Sequence, residues 1–362
     1  MSAFGSLCLP MAIGASTITT TSLRPRFCAP LSSSASPPTS LLFLRPPNPI
    51  FRPKRCSPIS MSLAADSSSS SSPLVEISND AGLKVTSPGI IGQNDLLIVG
   101  PGVLGRMVAE KWRKEHPDCQ IFGHTITTDH HDELIKIGII PSLRGSELTD
   151  KFPYVVFCAP PSRTSDYPSD VRLAASNWSG EGSFLFTSSS AVYDCSDNDF
   201  CNEDSPLVPI GRSPRIDVLL SAEKEVLDVG GCLLLLLECY YLNYLYKEDR
   251  GAHTYWLARG TVDALPDHVV NLIHYEDAAT LTIAIIKKKL RGRTFNGCDN
   301  HPLSRQEIMD SVNRSGKYSK KFLGFTGTDG PLGKRMTNSK TRAEIGWEPT
   351  FVSFPQFLGL PD

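Results

Sequence analysis

The chain reads as an α/β protein built on a doubly wound parallel sheet, with a small lobe towards its C-terminus. Three observations carry that reading. From Asp95 onward, short continuous apolar runs alternate with segments of helical period, the pattern of parallel strands covered on both faces and joined by right-handed crossovers. A Gly-x-Gly-x-x-Gly loop stands at the first of those strand-to-helix junctions. After about Arg291 the elements shorten and turn residues become denser, as in an appended lobe rather than a continued sheet.

The first strand is Asp95-Leu-Leu-Ile-Val-Gly100. Behind it Leu104, Val108 and Trp112 recur at helical spacing until Pro117 stops the helix. A second strand is expected over 120–126, a helix near 132–137, and further strands over 154–158 and 184–187. The folded domain is placed at 93–362, its small substrate lobe drawn mainly from about 240–262 and 291–345. A hydrophobic fraction of 40% in 362 residues is ample for such a core.

Residues 1–65 hold no Asp or Glu, six basic residues and 12 serines. An acid-free, Ser-rich, Arg-bearing start has the composition of an organelle transit peptide, and its serine density favours a plastid. The expectation is a chloroplast stromal protein, with a transit peptide over 1–60 and a flexible linker over 61–92. Without residues 1–65 the chain carries 30 basic against 38 acidic side chains, a net charge of -8. That charge argues against nucleic acid as a partner. No apolar run approaches the roughly 20 residues that cross a bilayer, so no membrane association is expected either. Seven cysteines remain, an odd number without a C-x-x-C pair, and they read as buried hydrophobes or free thiols rather than a disulfide framework or zinc site.

The glycine loop is the strongest single motif because it follows a strand and opens a helix. Gly100 permits the tight turn, Gly102 lets backbone approach a pyrophosphate, and Gly105 lets helix pack on strand. Unpaired N–H groups at the helix start then favour phosphate. The fold is therefore of the Rossmann type, and Gly100, Pro101, Gly102, Val103, Leu104 and Gly105 are the expected cofactor-binding set. Ala159, Pro160 and Ser188, near the ends of the following strands, complete it together with Thr125. The second strand ends in His124-Thr125-Ile126-Thr127, which supplies neither the carboxylate of an NAD site nor the arginine of an NADP site. Thr125 and Thr127 could donate to a 2′-phosphate, so NADP is preferred, with NAD left open. The cluster His124, Asp129, His130, His131, Asp132 reads as a polar loop and helix start. Adjacent His130 and His131 do not easily face one ion, and no metal is expected.

Four segments then resemble the extended short-chain dehydrogenases/reductases, the epimerase/dehydratase family. Phe184-Leu-Phe-Thr-Ser-Ser-Ser-Ala-Val-Tyr-Asp194 is similar to that family's strand and active-site serine. Glu203-Asp-Ser-Pro206-Leu-Val-Pro209 resembles its acid-and-proline loop, and Leu272-Ile-His274-Tyr-Glu-Asp277-Ala-Ala its late strand–helix junction. Arg342-Ala-Glu-Ile-Gly-Trp347-Glu-Pro looks like its terminal Leu-Gly-Trp-x-Pro turn. The landmarks keep the family's order over about residues 95–358.

What the resemblance implies is a serine that polarises the substrate and a Tyr-x-x-x-Lys pair that moves the proton. Ser189 matches the serine, with Ser190 its neighbour alternative. The Tyr-x-x-x-Lys pair is missing: counting back from Glu223 puts Arg215 at the Tyr position and Leu219 at the Lys position. Arg215 stays protonated and cannot act as a base, though it could hold an anionic substrate group. Proton carriers to consider are Tyr193, His253 and Tyr255, and the catalytic candidates are Ser189, Tyr193 and Arg215. Lys334 and Arg335 are candidates for touching a charged substrate. A further departure lies at 238–244, where several residues look inserted after an arginine-free apolar run.

These features place the chain nearest the atypical short-chain dehydrogenases/reductases. The expectation is an NAD(P)-dependent oxidoreductase or epimerase-like enzyme with a non-standard site, acting on a small polar molecule. A non-catalytic NADPH-binding redox sensor or scaffold is the alternative. The resemblance also allows a homodimer through paired helices.

Overall fold

The computed structural model describes residues 91–361 apart from 146–149, 237, 240 and 241, and the side chains of 238–239 and 242–243 are outside the description as well. The expected transit peptide lies outside the described residues, as do all of the linker except 91 and 92 and residues 240 and 241 of the suspected insertion.

Seven strands form one parallel sheet: β1 (Leu96–Val99), β2 (Ile121–Thr125), β3 (Ile139–Leu143), β4 (Phe152–Phe157), β5 (Trp178–Ser189), β6 (Cys232–Leu236) and β7 (Thr294–Gly297). Their spatial order is β3-β2-β1-β4-β5-β6-β7, so the chain reverses direction across the sheet between β1 and β4. Helices α1 (Val103–Glu115), α2 (His131–Lys136), α3 (Tyr167–Ser176), α4 (Pro214–Asp228), α5 (Ala252–Arg259), α6 (Tyr275–Lys288), α7 (Arg305–Ser315) and α8 (Ser339–Ile345) follow in chain order. This is the doubly wound architecture expected from the sequence.

The central strands form because they are apolar on both faces. In β1, Leu97 and Val99 enter the core shared with α3 and α4, while Leu96 and Ile98 enter the core shared with α1 and α6. All four are at most 2% exposed. At about 25 cal/mol per Å², burying each such side chain contributes roughly 1.5–3 kcal/mol. Trp112 anchors α1 to the sheet and is fully buried, its indole N–H donating to the Asn94 carbonyl at 2.8 Å.

Outside the main sheet the strands pair two residues at a time. Thr261–Val262 runs parallel to Gly324–Phe325, Val269–Val270 antiparallel to Leu303–Ser304, and Phe200–Cys201 parallel to Arg335–Met336. One part of the stretch 291–345 behaves differently from the expectation for the lobe. Thr294–Gly297 pairs in register with Leu233–Leu236 and forms the edge of the main sheet, because Phe295 and Asn296 are fully buried there.

Two of the quoted landmarks are structural staples. Asp277, completely buried in α6, accepts the N–H groups of Thr350 and Phe351 at 2.7 and 2.9 Å. Trp347 donates its indole N–H to Thr280 at 3.0 Å. Both contacts fasten the C-terminal segment to α6.

Candidate functional site

The glycine loop has the geometry its three roles demand. Gly100 takes φ +80°, and a Cβ there would stand 2.7 Å from the backbone of Ala159, so only glycine lets β1 and β4 meet at the turn. Gly105 packs against Ile98, whose Cγ2 would be 2.9 Å from an added Cβ. Gly102 differs from both: nothing but the Gly100 carbonyl, at 3.9 Å, would meet its Cβ. That open side faces a cleft, which Gly102 helps to line.

Gly102 is also the N-cap of α1, with no side-chain cap and no acidic residue in the first turn. The helix therefore turns unneutralised N–H groups and a partial positive charge towards the opening. The cleft has a volume of about 720 Å³ and runs from the glycine loop over Ala159 and Pro160 to Thr187, Ser188 and Ser189. A second cavity of about 590 Å³ adjoins it over the end of β2 and shares Gly100, Gly102, Ala159 and Pro160. Both lie at the carboxyl ends of the strands where the strand order reverses, the usual ligand position in this architecture.

The second cavity contains Thr125, and Pro101 packs between it and Gly123. Thr125 Oγ1 lies 2.7 Å from Nε2 of His131 and donates to the Ser142 carbonyl at 3.3 Å. His124 is buried with no partner for Nε2. Its burial, with Arg144 nearby, pulls its pKa down to about 4, so the ring is neutral at pH 7. Arg106, Arg144 and Arg163 line the same cavity; Arg106 pairs with Glu133 at 2.9 Å and Arg144 with Asp170 at 2.7 Å.

At the other end of the cleft, β5 delivers Ser188 and Ser189. Ser189 is the N-cap of a single 3-10 turn, Ser190–Val192, and accepts the N–H of Ala191 at 3.2 Å. Ser188 is hydrogen-bonded to the carboxyl of Glu223, which is 4% exposed on the inner face of α4. Burial pushes that carboxyl up to about 7, against the lowering effect of the Ser188 hydroxyl. Leu219, one turn earlier on α4, fills the cleft wall where the family resemblance places lysine.

The remaining expected site residues are held elsewhere. Tyr193 is 2% exposed and donates its hydroxyl to Asn296 at 3.3 Å, outside the cleft lining. Burial, with the Glu203 carboxylate nearby, raises its pKa well above that of an ordinary tyrosine. Arg215, in the first turn of α4, is half-buried and does not line the cleft. His253 is buried against Phe354 and bonded to the Tyr318 hydroxyl at 3.1 Å, and Tyr255 lies under the guanidinium of Arg259.

Lys334 does not reach out to a substrate. Its ammonium donates to the carbonyls of Ser190 (3.2 Å) and Tyr193 (2.6 Å), which ties down the turn that presents Ser189. Sequence reasoning passed over Glu223 as a functional residue, because only its burial distinguishes it from a surface glutamate. It also passed over Arg163 and Arg250, which line both cavities and carry no local motif.

Neither a family model nor a curated protein sequence matches the chain. Solved structures do. A functionally unknown conserved protein from Silicibacter pomeroyi is similar at TM-score 0.59 and 20% identity, covering 73% of this chain and 96% of that one. A putative epimerase from Burkholderia cenocepacia is similar at TM-score 0.59 and 16% identity, covering 73% and 95%. The dTDP-glucose 4,6-dehydratase of Bacillus anthracis, solved in complex with NAD, is similar at TM-score 0.57 and 14% identity, covering 73% and 94%. At these identities the likeness is one of fold: the chain has the Rossmann-type fold found in NAD-dependent epimerases and dehydratases.

Proposed function

We propose that this chain is an NAD(P)-binding oxidoreductase or epimerase-like enzyme for a small polar substrate, working without the Tyr-x-x-x-Lys pair. The observation that carries it is the continuous cleft from the bare side of Gly102 to Ser189. The residues fit a nicotinamide dinucleotide. Gly102 leaves room for a pyrophosphate at the start of α1, the adjoining cavity holds Thr125 and four arginines, and Ser188 and Ser189 line the far end. Bound there, the cofactor supplies a hydride donor and acceptor. The last residue of β2 is not a carboxylate, and the cavity's four arginines outnumber its two carboxylates, Asp129 and Glu133, which favours NADP over NAD.

In this reading Ser189 donates a hydrogen bond to the substrate oxygen. Its hydroxyl is aimed by the 3-10 turn and by Lys334 beneath that turn. Ser188 and Glu223 hold the proton: a buried carboxyl titrating near 7 can give up or take a proton through the Ser188 hydroxyl at neutral pH. Leu219 replaces the cation that would lower a tyrosine pKa, which makes a buried carboxyl the better placed group. Calorimetric titration of the purified protein with NADP⁺, NADPH, NAD⁺ and NADH tests the cofactor, and absence of binding by a folded sample ends the proposal.

Leu219 at the lysine position also favours a second reading, a non-catalytic NADPH sensor or scaffold. A sensor must bind reduced and oxidised cofactor unequally; an enzyme must turn the cofactor over with some substrate. The acid-free first 60 residues support plastid import, and N-terminal sequencing of the protein recovered from isolated chloroplasts tests that part.

A further inference from the structure

Seven strands and a glycine loop do not account for one close contact between two sulfurs. Cys195 follows the turn that begins at Ser189. Cys201 lies in the two-residue strand Phe200–Cys201, which pairs with Arg335–Met336. Their Sγ atoms are 2.7 Å apart. The chain between them reverses through Asp197 and Asn198, both at positive φ (54° and 67°), and the N–H of Asp199 closes on the Ser196 carbonyl at 2.9 Å. The turn thus holds the two side chains face to face.

We propose that Cys195 and Cys201 are a reversible dithiol–disulfide site. A covalent S–S bond is roughly 2.05 Å long, so closure asks only a small movement of either side chain. The two thiols differ in access. Cys195 is half-buried, whereas Cys201 is 1% exposed. Cys195 is therefore the sulfur that meets an external disulfide such as oxidised glutathione.

In the first exchange the Cys195 thiolate attacks one glutathione sulfur, forming a mixed disulfide and releasing one glutathione thiolate. In the second the Cys201 sulfur attacks the Cys195 sulfur and expels the other glutathione. The two protein thiols lose two protons and two electrons, and one external disulfide is reduced to two thiols. Burial beside Cys195 pushes the Cys201 thiol up to about 12, which fits it for the resolving step rather than the first attack.

The site stands at a seam. Asn198 donates its N–H to the Gly333 carbonyl, Arg335 to that of Asp199 and Thr337 to that of Cys201, at 2.8–2.9 Å. Lys334, between those anchors, holds the turn presenting Ser189. Oxidation would fasten the hairpin through which the 333–337 segment grips the turn presenting Ser189. This inference does not depend on the cofactor or the reaction proposed above.

The test is thiol mapping of the full-length protein equilibrated with glutathione buffers of increasing oxidised fraction, then quenched with acid, unfolded, alkylated and digested with trypsin. Both cysteines fall in one peptide, 173–212. The expected result is that this peptide loses both alkylatable thiols together and becomes lighter by two hydrogen atoms. Dithiothreitol should restore it. Cys201→Ser should instead trap a glutathione adduct on Cys195, and Cys195→Ser should leave Cys201 reduced. In a parallel sample alkylated before unfolding, the buried Cys232 and Cys298 report that the protein stayed folded by remaining unalkylated. A stable glutathione adduct on Cys195 of the unsubstituted protein, or two free thiols at every buffer ratio, overturns the proposal.

Discussion

Replacing Gly102 by alanine separates the cofactor site from the fold, because the two make opposite demands at that one position. The backbone there is extended, with φ -75° and ψ -155°, and lacks the positive φ that reserves a position for glycine. The new methyl would meet only the Gly100 carbonyl, at 3.9 Å, an ordinary contact. Its cost to stability is then the poorer N-cap preference of alanine, about 1 kcal/mol, or a melting shift of about 2–4 °C for a domain of this size. The same methyl occupies the face where a pyrophosphate must approach the α1 amides. Losing one charged hydrogen bond of about 1.5–3 kcal/mol weakens binding roughly 10- to 150-fold. Gly105→Ala is the contrast, since its Cβ would press to 2.9 Å on Ile98 and lower the melting temperature whether or not cofactor is present. Calorimetric titration with the four nicotinamide dinucleotides, paired with thermal melts, reads both effects. If Gly102→Ala binds as tightly as the unsubstituted protein, the pyrophosphate does not cross this loop and the proposed placement of the cofactor is wrong.

Three shorter predictions follow from the same site. Thr125→Asp places a carboxylate where the second cavity meets the end of β2, and should weaken NADP⁺ relative to NAD⁺ by about tenfold or more through like-charge repulsion; an unchanged ratio of dissociation constants removes Thr125 from the 2′-phosphate site. Lys334→Met leaves the Ser190 and Tyr193 carbonyls without their ammonium partner and should cost about 1–3 kcal/mol in urea unfolding; no loss would show that the lysine does not hold the turn. Ser189→Ala should keep cofactor affinity within twofold while lowering turnover of any substrate found by screening about 10²- to 10⁴-fold, and full turnover would exclude it from the chemistry.

The sheet was legible where local pattern and burial coincide. Leu96–Val99 is apolar on both faces, and α1 repeats Leu104, Val108 and Trp112 at helical spacing, so both elements could be read without neighbours. The fifth strand was harder. Expected over 184–187, it extends over Trp178–Ser189, because its first half, Ser179-Gly-Glu-Gly-Ser183, is polar and joins the sheet at an irregularity opposite Phe152–Tyr154. Pro153, which lacks an N–H, sits in that irregular stretch.

Site residues divide the same way. The glycine loop is local and was readable, whereas the roles of Tyr193, Lys334 and Glu223 depend on what each side chain faces across the fold. Tyr193 turns towards Asn296, more than a hundred positions later. Lys334 turns inward to two carbonyls rather than outward to a ligand. The cysteine pair was hidden by arithmetic, since an odd count without C-x-x-C says nothing of a turn that brings Cys195 onto Cys201.

Glu223 allows the sharpest check on whether that inward-facing carboxyl holds a proton near neutrality. Two effects compete on it: burial disfavours the charged form, and the Ser188 hydroxyl favours it, with burial the larger. Unfolded, the group titrates near 4.5, and in the folded protein at about 7. Between those values the folded state keeps a proton that the unfolded state has released. Stability contributed by this group is complete below about pH 4.5 and is lost as pH rises through 7. The full loss is on the order of 3 kcal/mol. Glu223→Gln is neutral at every pH and keeps an oxygen that can accept from Ser188, so it carries no such loss. Urea unfolding of both proteins from pH 4.5 to 8 should show the variant gaining on the parent by that order of magnitude, most of it between pH 5 and 7. Parallel curves would mean that the carboxyl titrates alike in both states. A gap that moves the other way would mean that Ser188 and the local field stabilise the carboxylate, and the proton held for catalysis would have to sit elsewhere in the cleft.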